Sequence, residues 1–285
     1  MTAIVPETAT PRWLGLWPAA MLGLFFLVPF GIMLAVSVAH RDPSGFYEWG
    51  FELDSYARFM TGFFAKVMAV SLGVSLTAAV ICVVIAFPFT VFLASMSNRI
   101  QTVVLVVLLS VLALSEVIIG FALSTLLSQT AGISNLFVWL GLTDAPQAYT
   151  PSLFALIAGL CYIGFPFAVL VLYPPVSRLD PEIVEAARVM GASGPRAFFG
   201  VILPNLRGAI TGAFILVFVF TLGSYLLPQL LGRSEDWTLS VHITDQAVYQ
   251  SNLPFAAAMS VFLMLVALAL VGLASLAGRD RGAAA

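Results

Sequence analysis

Six long runs of apolar residues constrain this chain more than any other feature of its sequence. They cover residues 14–39, 67–94, 103–127, 152–173, 201–231 and 255–277. Each run reaches the ~20 mostly apolar residues that an α-helix needs to cross a bilayer. The runs lack the short alternating pattern of barrel strands, and a backbone inside hydrocarbon must satisfy its own hydrogen bonds. The sequence therefore predicts an all-α membrane protein with six transmembrane helices.

The composition supports this fold class and excludes others. Hydrophobic residues make up 61% of the 285 residues and charged residues only 9%, which is far more apolar than an average soluble domain. A net charge of −2 gives no indication of nucleic-acid binding. The first run exceeds a secretory apolar core of ~7–15 residues, so we expect an uncleaved first helix. With no internal repeat or soluble segment recognised, one transmembrane domain over residues 1–285 is predicted, surrounded by membrane lipid.

The basic residues predict an orientation. If the N-terminus is cytoplasmic, eight of the twelve basic residues lie inside and four outside, an asymmetry that favours cytoplasmic N- and C-termini. Residues 174–200 then form the long cytoplasmic connection. The inside residues are Arg12, Arg99, Arg178, Arg188, Arg196, Arg207, Arg279 and Arg281, and the outside ones are Arg41, Arg58, Lys66 and Arg233.

Within the long connection, the local sequence predicts a short helix. Asp180 can cap it, Pro181 suits its first position, and Glu182 and Glu185 lie early, where carboxylates complement the helix dipole. Gly191 is expected to end it.

One side of this short helix is predicted to be shallow and apolar. Ile183, Ala187 and Met190 recur at helical spacing with Ala186 beside them, while Arg188 points elsewhere. Such a face would let a partner approach closely. An ordinary amphipathic helix on the membrane surface is the alternative that these residues leave open.

The same stretch resembles a known signature. Glu-Ala-Ala, three residues, Gly, nine residues and then Ile-x-Leu-Pro is the cytoplasmic motif of permeases of binding-protein-dependent ABC importers. Here Val201 stands in place of the isoleucine. The matching residues are Glu185, Ala186, Ala187, Gly191, Val201, Leu203 and Pro204.

The resemblance implies a type I ABC importer permease fold with a cytoplasmic coupling helix, in a multi-pass protein of the bacterial inner membrane. It implies a cytoplasmic ABC ATPase dimer, a second permease, related or identical, and a periplasmic solute-binding protein as partners. The chain would be a transport subunit and no enzyme, with ATP and Mg bound by the ATPase, since it has no phosphate-binding loop of its own. The implied coupling residues are Glu182, Glu185, Ala186, Ala187, Met190, Gly191 and Pro204.

The cargo is indicated by weaker similarities. Residues 40–46, 53–59, 132–141 and 179–188 are similar to the spermidine and putrescine permeases, which favours a polyamine moved into the cytoplasm by alternating access. The alternatives are an importer permease for another small solute, such as an amino-acid-like compound, a phosphonate or a metal, and an ion-coupled secondary transporter. The latter class usually carries several ionisable residues near the midplane.

Glu116 is the one carboxylate near the middle of an apolar run. There it would cost about 2.5–3.5 kcal/mol on insertion scales, so it should face protein or water. Either it lines the solute pathway and attracts a cation, or it pairs with a polar group on a neighbouring helix and fixes packing. Tyr162 and Tyr225 are further candidates for the pathway, although tyrosines in spans also bond to neighbours or lie at the interface.

Overall fold

The computed structural model describes residues 16–42, 47–130 and 132–279, and these residues are almost entirely helical. An isolated bridge between His40 and Glu48 is the one β-pairing among them. The helices are α1 (Trp17–Ser37), α2 (Asp54–Phe59), α3 (Gly62–Ala94), α4 (Asn98–Ala113), α5 (Glu116–Leu126), α6 (Ile133–Trp139), α7 (Leu153–Ser177), α8 (Pro181–Val189), α9 (Gly194–Asn205), α10 (Arg207–Gly223), α11 (Leu226–Leu231), α12 (Leu239–Thr244) and α13 (Leu253–Arg279).

The predicted spans correspond to helices of suitable length. Four helices, α1, α3, α7 and α13, are long and apolar enough to cross a membrane alone, and the number is six if each of two bent pairs forms one span. The all-α membrane fold is therefore confirmed. Residues 14–15 of the first run, residues 43–46, Arg12 and Arg281 lie outside the described residues.

Two of the six runs are not the continuous helices that the sequence predicts. The third run consists of α4 and α5, bent by 96° at Leu114 and Ser115, whose backbones are extended. The fifth run is bent by 72° between α9 and α10 and is broken again at Ser224 and Tyr225. Pro88 and Pro166, by contrast, do not interrupt a helix, since both lie inside helices that continue through them. The freed backbone groups at such prolines can be satisfied locally.

The chain is organised as two compact units. Among the described residues, the first contains those within 16–59 and 245–262, and the second contains those within 60–244 and 263–279. This division does not test the single-domain prediction for residues 1–285, which stays a prediction.

The second unit is built around α3, α7 and α10, which contact one another extensively. Small side chains line their contact, because Ala79, Ala86, Ala168 and Ala213 are all fully buried there. Close backbone approach through small residues is the usual basis of helix packing in lipid, where apolar side chains gain nothing from leaving hydrocarbon.

Two glycines seat α11 against its neighbours. A Cβ at Gly120 on α5 would lie 2.7 Å from Leu230 Cδ1, and one at Gly159 on α7 would lie 2.5 Å from Leu231 Cδ1. Any side chain at either glycine would therefore displace a leucine of α11. The N–H of Ser152 also donates to the Leu231 carbonyl at 2.8 Å, so α11 is held at its C-terminal end by the start of α7.

The first unit joins one end of α1 to α2 and to the first turns of α13. The hydroxyls of Ser37 and Tyr56 are hydrogen-bonded at 2.8 Å. The rings of Phe59 and Phe262 pack 4.6 Å apart, and the Arg58 guanidinium lies 4.8 Å from the centre of the Phe255 ring.

Candidate functional site

The short helix of the 174–200 connection forms as its capping residues predict. The Asp180 carboxylate accepts a hydrogen bond from the Glu182 N–H at 2.9 Å, and Pro181 occupies the first turn. At the other end, Gly191 adopts φ +87°, a left-handed conformation that glycine enters without steric cost. The Ala192 N–H then donates to the Ala187 carbonyl at 3.0 Å, which closes the turn.

The exposed surface of α8 differs from the predicted apolar face. Ala187 is buried against the chain itself, so it is not part of an accessible face with Ile183 and Met190. The helix ends at Val189, and the turn carries Val189 and Met190 outward, where 88% and 83% of their surfaces are exposed. The difference arises because α8 packs against its own chain at Ala187, which helical spacing alone does not reveal.

The remaining predicted coupling residues are accessible. Glu182, Glu185, Ala186 and Pro204 are all exposed. Pro204 lies near the end of α9, next to the 72° bend that leads into α10. Helix α8 contacts α9, so both halves of the Glu-Ala-Ala signature lie on elements that touch.

Glu116 lies at a helix break and not in the middle of a straight span. It is the first residue of α5, directly after the extended pair Leu114 and Ser115. Its Oε1 accepts a hydrogen bond from the Ser224 hydroxyl at 2.6 Å. Ser224 itself lies in the break that follows α10, so the two breaks meet through this bond. A carboxylate at the first turn of a helix is also favoured by the helix dipole.

The three pathway candidates are not brought together. Tyr225 follows Ser224 in the second break and is partly exposed. Tyr162 lies on α7, where it lines an open apolar cavity of about 460 Å³ with Cys82, Cys161 and Pro166. Glu116 and Tyr225 are not among the lining residues of that cavity.

The partner of Glu116 could have been found from a local signal. The adjacent Gly223 and Ser224 form a pair of the kind that commonly marks a sharp kink. Ser115, directly before Glu116, is a residue type that is preferred at helix N-caps, although its side chain makes no capping bond in the structure. Both signals lie within apolar runs, where length and hydropathy favour a continuous span.

Comparison with known families identifies the class of protein. A family described as the binding-protein-dependent transport system inner membrane component matches residues 86–280, well over half of the chain. The chain belongs to this family. It is therefore an ABC importer permease subunit, a multi-pass protein of the inner membrane and a transport component.

Curated relatives resemble this permease over most of its length. It is 32% identical over 247 residues to the spermidine/putrescine transport system permease protein PotB of Salmonella typhimurium, covering 86% of this permease and 85% of the relative. The protein of the same name from Escherichia coli is 31% identical over 247 residues, with 86% and 89% covered.

Solved structures show the same fold. A bacterial ABC transporter that imports the acidic polysaccharide alginate has a chain that superposes with a TM-score of 0.74 at 20% identity, covering 94% of this permease and 96% of that chain. The alginate transporter in complex with a pentasaccharide-bound periplasmic protein gives a TM-score of 0.73 at 19% identity, with 94% and 95% covered. An amino acid ABC transporter gives 0.52 at 18% identity, with 81% and 99% covered. At these identities the likeness concerns the fold alone.

Proposed function

We propose that this permease pairs with a second permease, related or identical, and imports a small solute delivered by a periplasmic binding protein. A cytoplasmic ABC ATPase dimer binds ATP and Mg and drives the cycle. Helix α8 docks on that ATPase, and both termini lie in the cytoplasm. The observation that carries this proposal is the exposed, capped helix α8 with its glycine turn.

The surface of α8 suits insertion into a cleft. Val189 and Met190 project from the turn and offer apolar area, while the accessible Ala186 lets a partner backbone come close. Glu182 and Glu185 surround this surface with negative charge. Ala187 acts indirectly, because its burial keeps α8 seated on its own chain.

Two methionines allow a matched test of docking and orientation. Met190 is 83% exposed and Met60 is 79% exposed, and the proposal places them on opposite sides of the membrane. In the assembled complex, Met190→Cys should cross-link to the ATPase with a short bifunctional reagent and be shielded from impermeant maleimide in whole spheroplasts. Met60→Cys should react with that maleimide and form no ATPase cross-link. The opposite labelling pattern would overturn the orientation and the docking role together.

The cargo we propose is a polyamine such as spermidine or putrescine. Support comes from the curated relatives, whose names specify those solutes. A protonated amine is drawn to a carboxylate, so Glu116 lines the pathway in this proposal, with Tyr225 in the second break, next to the serine that bonds Glu116. Tyr162 would contribute only if the cavity on α7 joins the route.

Charge and hydrogen bonding at Glu116 can be separated experimentally. Glu116→Gln removes the charge and keeps an acceptor for Ser224, whereas Ser224→Ala keeps the charge and removes the donor. A pathway role predicts that Glu116→Gln lowers polyamine uptake while Ser224→Ala retains it. A packing role predicts the reverse order, with loss of complex stability in Ser224→Ala and normal uptake in Glu116→Gln.

The solute and the energy source are tested on the intact complex. Co-purification with the binding protein, followed by mass spectrometry of the trapped ligand, should recover a polyamine. Uptake into sealed vesicles should require ATP on the cytoplasmic side. Recovery of another small solute would reject the cargo assignment but leave the importer proposal intact, whereas uptake driven by an ion gradient without nucleotide would reject the importer mechanism.

A further inference from the structure

The segment that follows α1 alternates between apolar and acidic side chains. Tyr47, Trp49, Phe51 and Leu53 occupy the odd positions, and Glu48, Gly50, Glu52 and Asp54 the even ones. Residues 47–53 are non-helical with a bend at Trp49, and in the extended parts of such a segment side chains two residues apart project to the same side. The rings of Tyr47 and Trp49 do pack edge-to-face, 5.2 Å apart, as residues on one side would.

His40 contacts the side of this segment that carries the acidic residues. The backbones of His40 and Glu48 exchange two hydrogen bonds of 3.0 Å. A Cβ at Gly50 would lie 3.9 Å from His40 Cβ, and the Glu52 carboxylate lies 2.5 Å from His40 Nδ1. The even positions therefore lie on the side of the segment that faces His40, where Glu52 has a partner, while Glu48 and Gly50 stay exposed beside it.

The side chains at the odd-numbered positions point outward and are exposed. Trp49 is 72% exposed and Phe51 is 81% exposed, and Leu53 is exposed beside them. We call these three residues the apolar ladder. Such a row of large apolar side chains is unusual on a surface that faces only water.

The end of α1 fixes the depth at which the apolar ladder lies. The helix spans 21 residues, or about 31 Å at ~1.5 Å per residue, which matches the ~30 Å hydrocarbon core. Ser37 therefore lies near one boundary of the core. The Glu52 N–H donates to the Val38 carbonyl at 2.8 Å, so Phe51 and Leu53 flank a residue bonded directly to the end of the span.

The start of α13 gives the same depth independently. Asn252 and Phe255 line a cavity of about 440 Å³ together with Ala39 and His40. Because α13 is itself a candidate span beginning at Leu253, two spans end at the level of this cavity. Helix α1 itself also has exposed apolar side chains, among them Phe25 and Ile32.

We propose that residues 47–53 form an interfacial anchor, with the apolar ladder lying in the lipid headgroup region at the end of α1 and the acidic side turned away from the lipid toward His40. Trp and Tyr side chains favour this layer because each combines an apolar ring with a polar N–H or O–H group, and Phe51 and Leu53 add apolar area beside Trp49. The anchor fixes the height at which this end of α1 and the start of α13 sit in the bilayer.

Tryptophan quenching by brominated lipids tests the proposal on the full chain in nanodiscs. The chain has five tryptophans, and replacing the other four, Trp13, Trp17, Trp139 and Trp237, with Phe leaves Trp49 as the reporter. Lipids brominated near the top of the acyl chain should cause a loss of Trp49 emission. A Phe51→Trp variant that also carries Trp49→Phe should lose emission in the same way.

The matched control moves the indole to the opposite side at the same depth. Glu48→Trp with Trp49→Phe should keep most of its emission in brominated lipid and be quenched by aqueous acrylamide instead. Circular dichroism of each variant confirms that the helices are retained. Equal lipid quenching at positions 48 and 49 would overturn the two-sided arrangement.

The competing occupant, a protein partner, gives a different result. Suppose that brominated lipid quenches neither Trp49 nor the indole of the Phe51→Trp variant, and that purified binding protein protects both from acrylamide. The apolar ladder is then a protein-docking surface and the lipid proposal is wrong. If the lipid does not quench them and acrylamide still does with the binding protein present, the lipid proposal is wrong as well.

Discussion

Two serines on one face of α3 offer a direct measure of what a buried hydrogen bond contributes to this permease. Ser71 and Ser75 are one helical turn apart, and only 1% and 0% of their surfaces are exposed. The Ser71 hydroxyl accepts a 2.7 Å hydrogen bond from the Leu239 N–H and donates one to the Val67 carbonyl. The Ser75 hydroxyl has no hydrogen-bond partner among the described residues.

The Leu239 N–H explains why the two positions should differ. Leu239 begins α12, and the first N–H groups of a helix have no partner within it. Ser71→Ala would leave that buried donor unsatisfied, at a cost of about 1–3 kcal/mol. Ser75→Ala removes a hydroxyl that bonds nothing, so it should be nearly neutral or stabilising. Both changes remove the same atom from a buried site, so any packing loss is similar in the two variants.

Thermal unfolding of the purified permease in detergent measures the difference. At about 2–4 °C per kcal/mol for a chain of this size, Ser71→Ala should lower the Tm by roughly 2–12 °C. The Tm of Ser75→Ala should equal or exceed that of the wild type. Equal Tm losses in the two variants would refute the reasoning, since the loss would then come from the missing atom and not from the unpaired Leu239 N–H. A larger loss at Ser75 would refute it outright.

Three further predictions concern the packing, the coupling helix and the loop after α1. Gly159→Leu should lower stability by about 1–3 kcal/mol in thermal unfolding, because its side chain must displace Leu231, and Gly159→Ala should cost less. Gly191→Val should weaken the turn after α8 by about 1–2 kcal/mol and increase proteolysis of the 174–200 connection, whereas Gly191→Asn, which tolerates the left-handed conformation, should stay near wild type. The hydrogen bond between the two side chains raises the pKa of His40 and lowers that of Glu52, so the pair contributes most above the lowered Glu52 pKa and below the raised His40 pKa. Limited proteolysis of the 40–52 loop should therefore be slowest in that window and faster on either side, and His40→Gln should remove the dependence.

The features that the sequence predicts correctly are those set by local chemistry or by long apolar runs. Bilayer thickness imposes the length of a span, so six apolar runs are enough to find the helices. The ends of α8 are set by Asp180 and Gly191, whose capping roles need no knowledge of distant residues. The burial of Ala187 could not be found this way, because it depends on how α8 packs against the rest of the chain, and α8 contacts α9, which lies further along it.

Hydropathy does not predict the two helix breaks. Leu114 and Ser115 sit between two apolar segments, and a window averaged over ~19 residues does not detect two residues with extended backbones. The break at Ser224 and Tyr225, where only Ser224 has an extended backbone, escapes such a window in the same way. In both places the backbone groups released from one helix must be satisfied by neighbouring protein, which is information that only the folded arrangement contains.

The break also changes what Glu116 implies about function. In a straight span its carboxylate would cost about 2.5–3.5 kcal/mol and would need an external reason to persist. At the start of α5 the helix dipole offsets ~0.3–2 kcal/mol of that cost. A hydrogen bond from a hydroxyl to a charged group, here from Ser224, contributes about 1.5–3 kcal/mol more. The fold can therefore hold this charge without a cationic solute or a second subunit. The presence of Glu116 in the membrane is therefore not sufficient evidence that it lines the solute pathway. Only a loss of uptake in Glu116→Gln that Ser224→Ala does not reproduce would place Glu116 in that pathway.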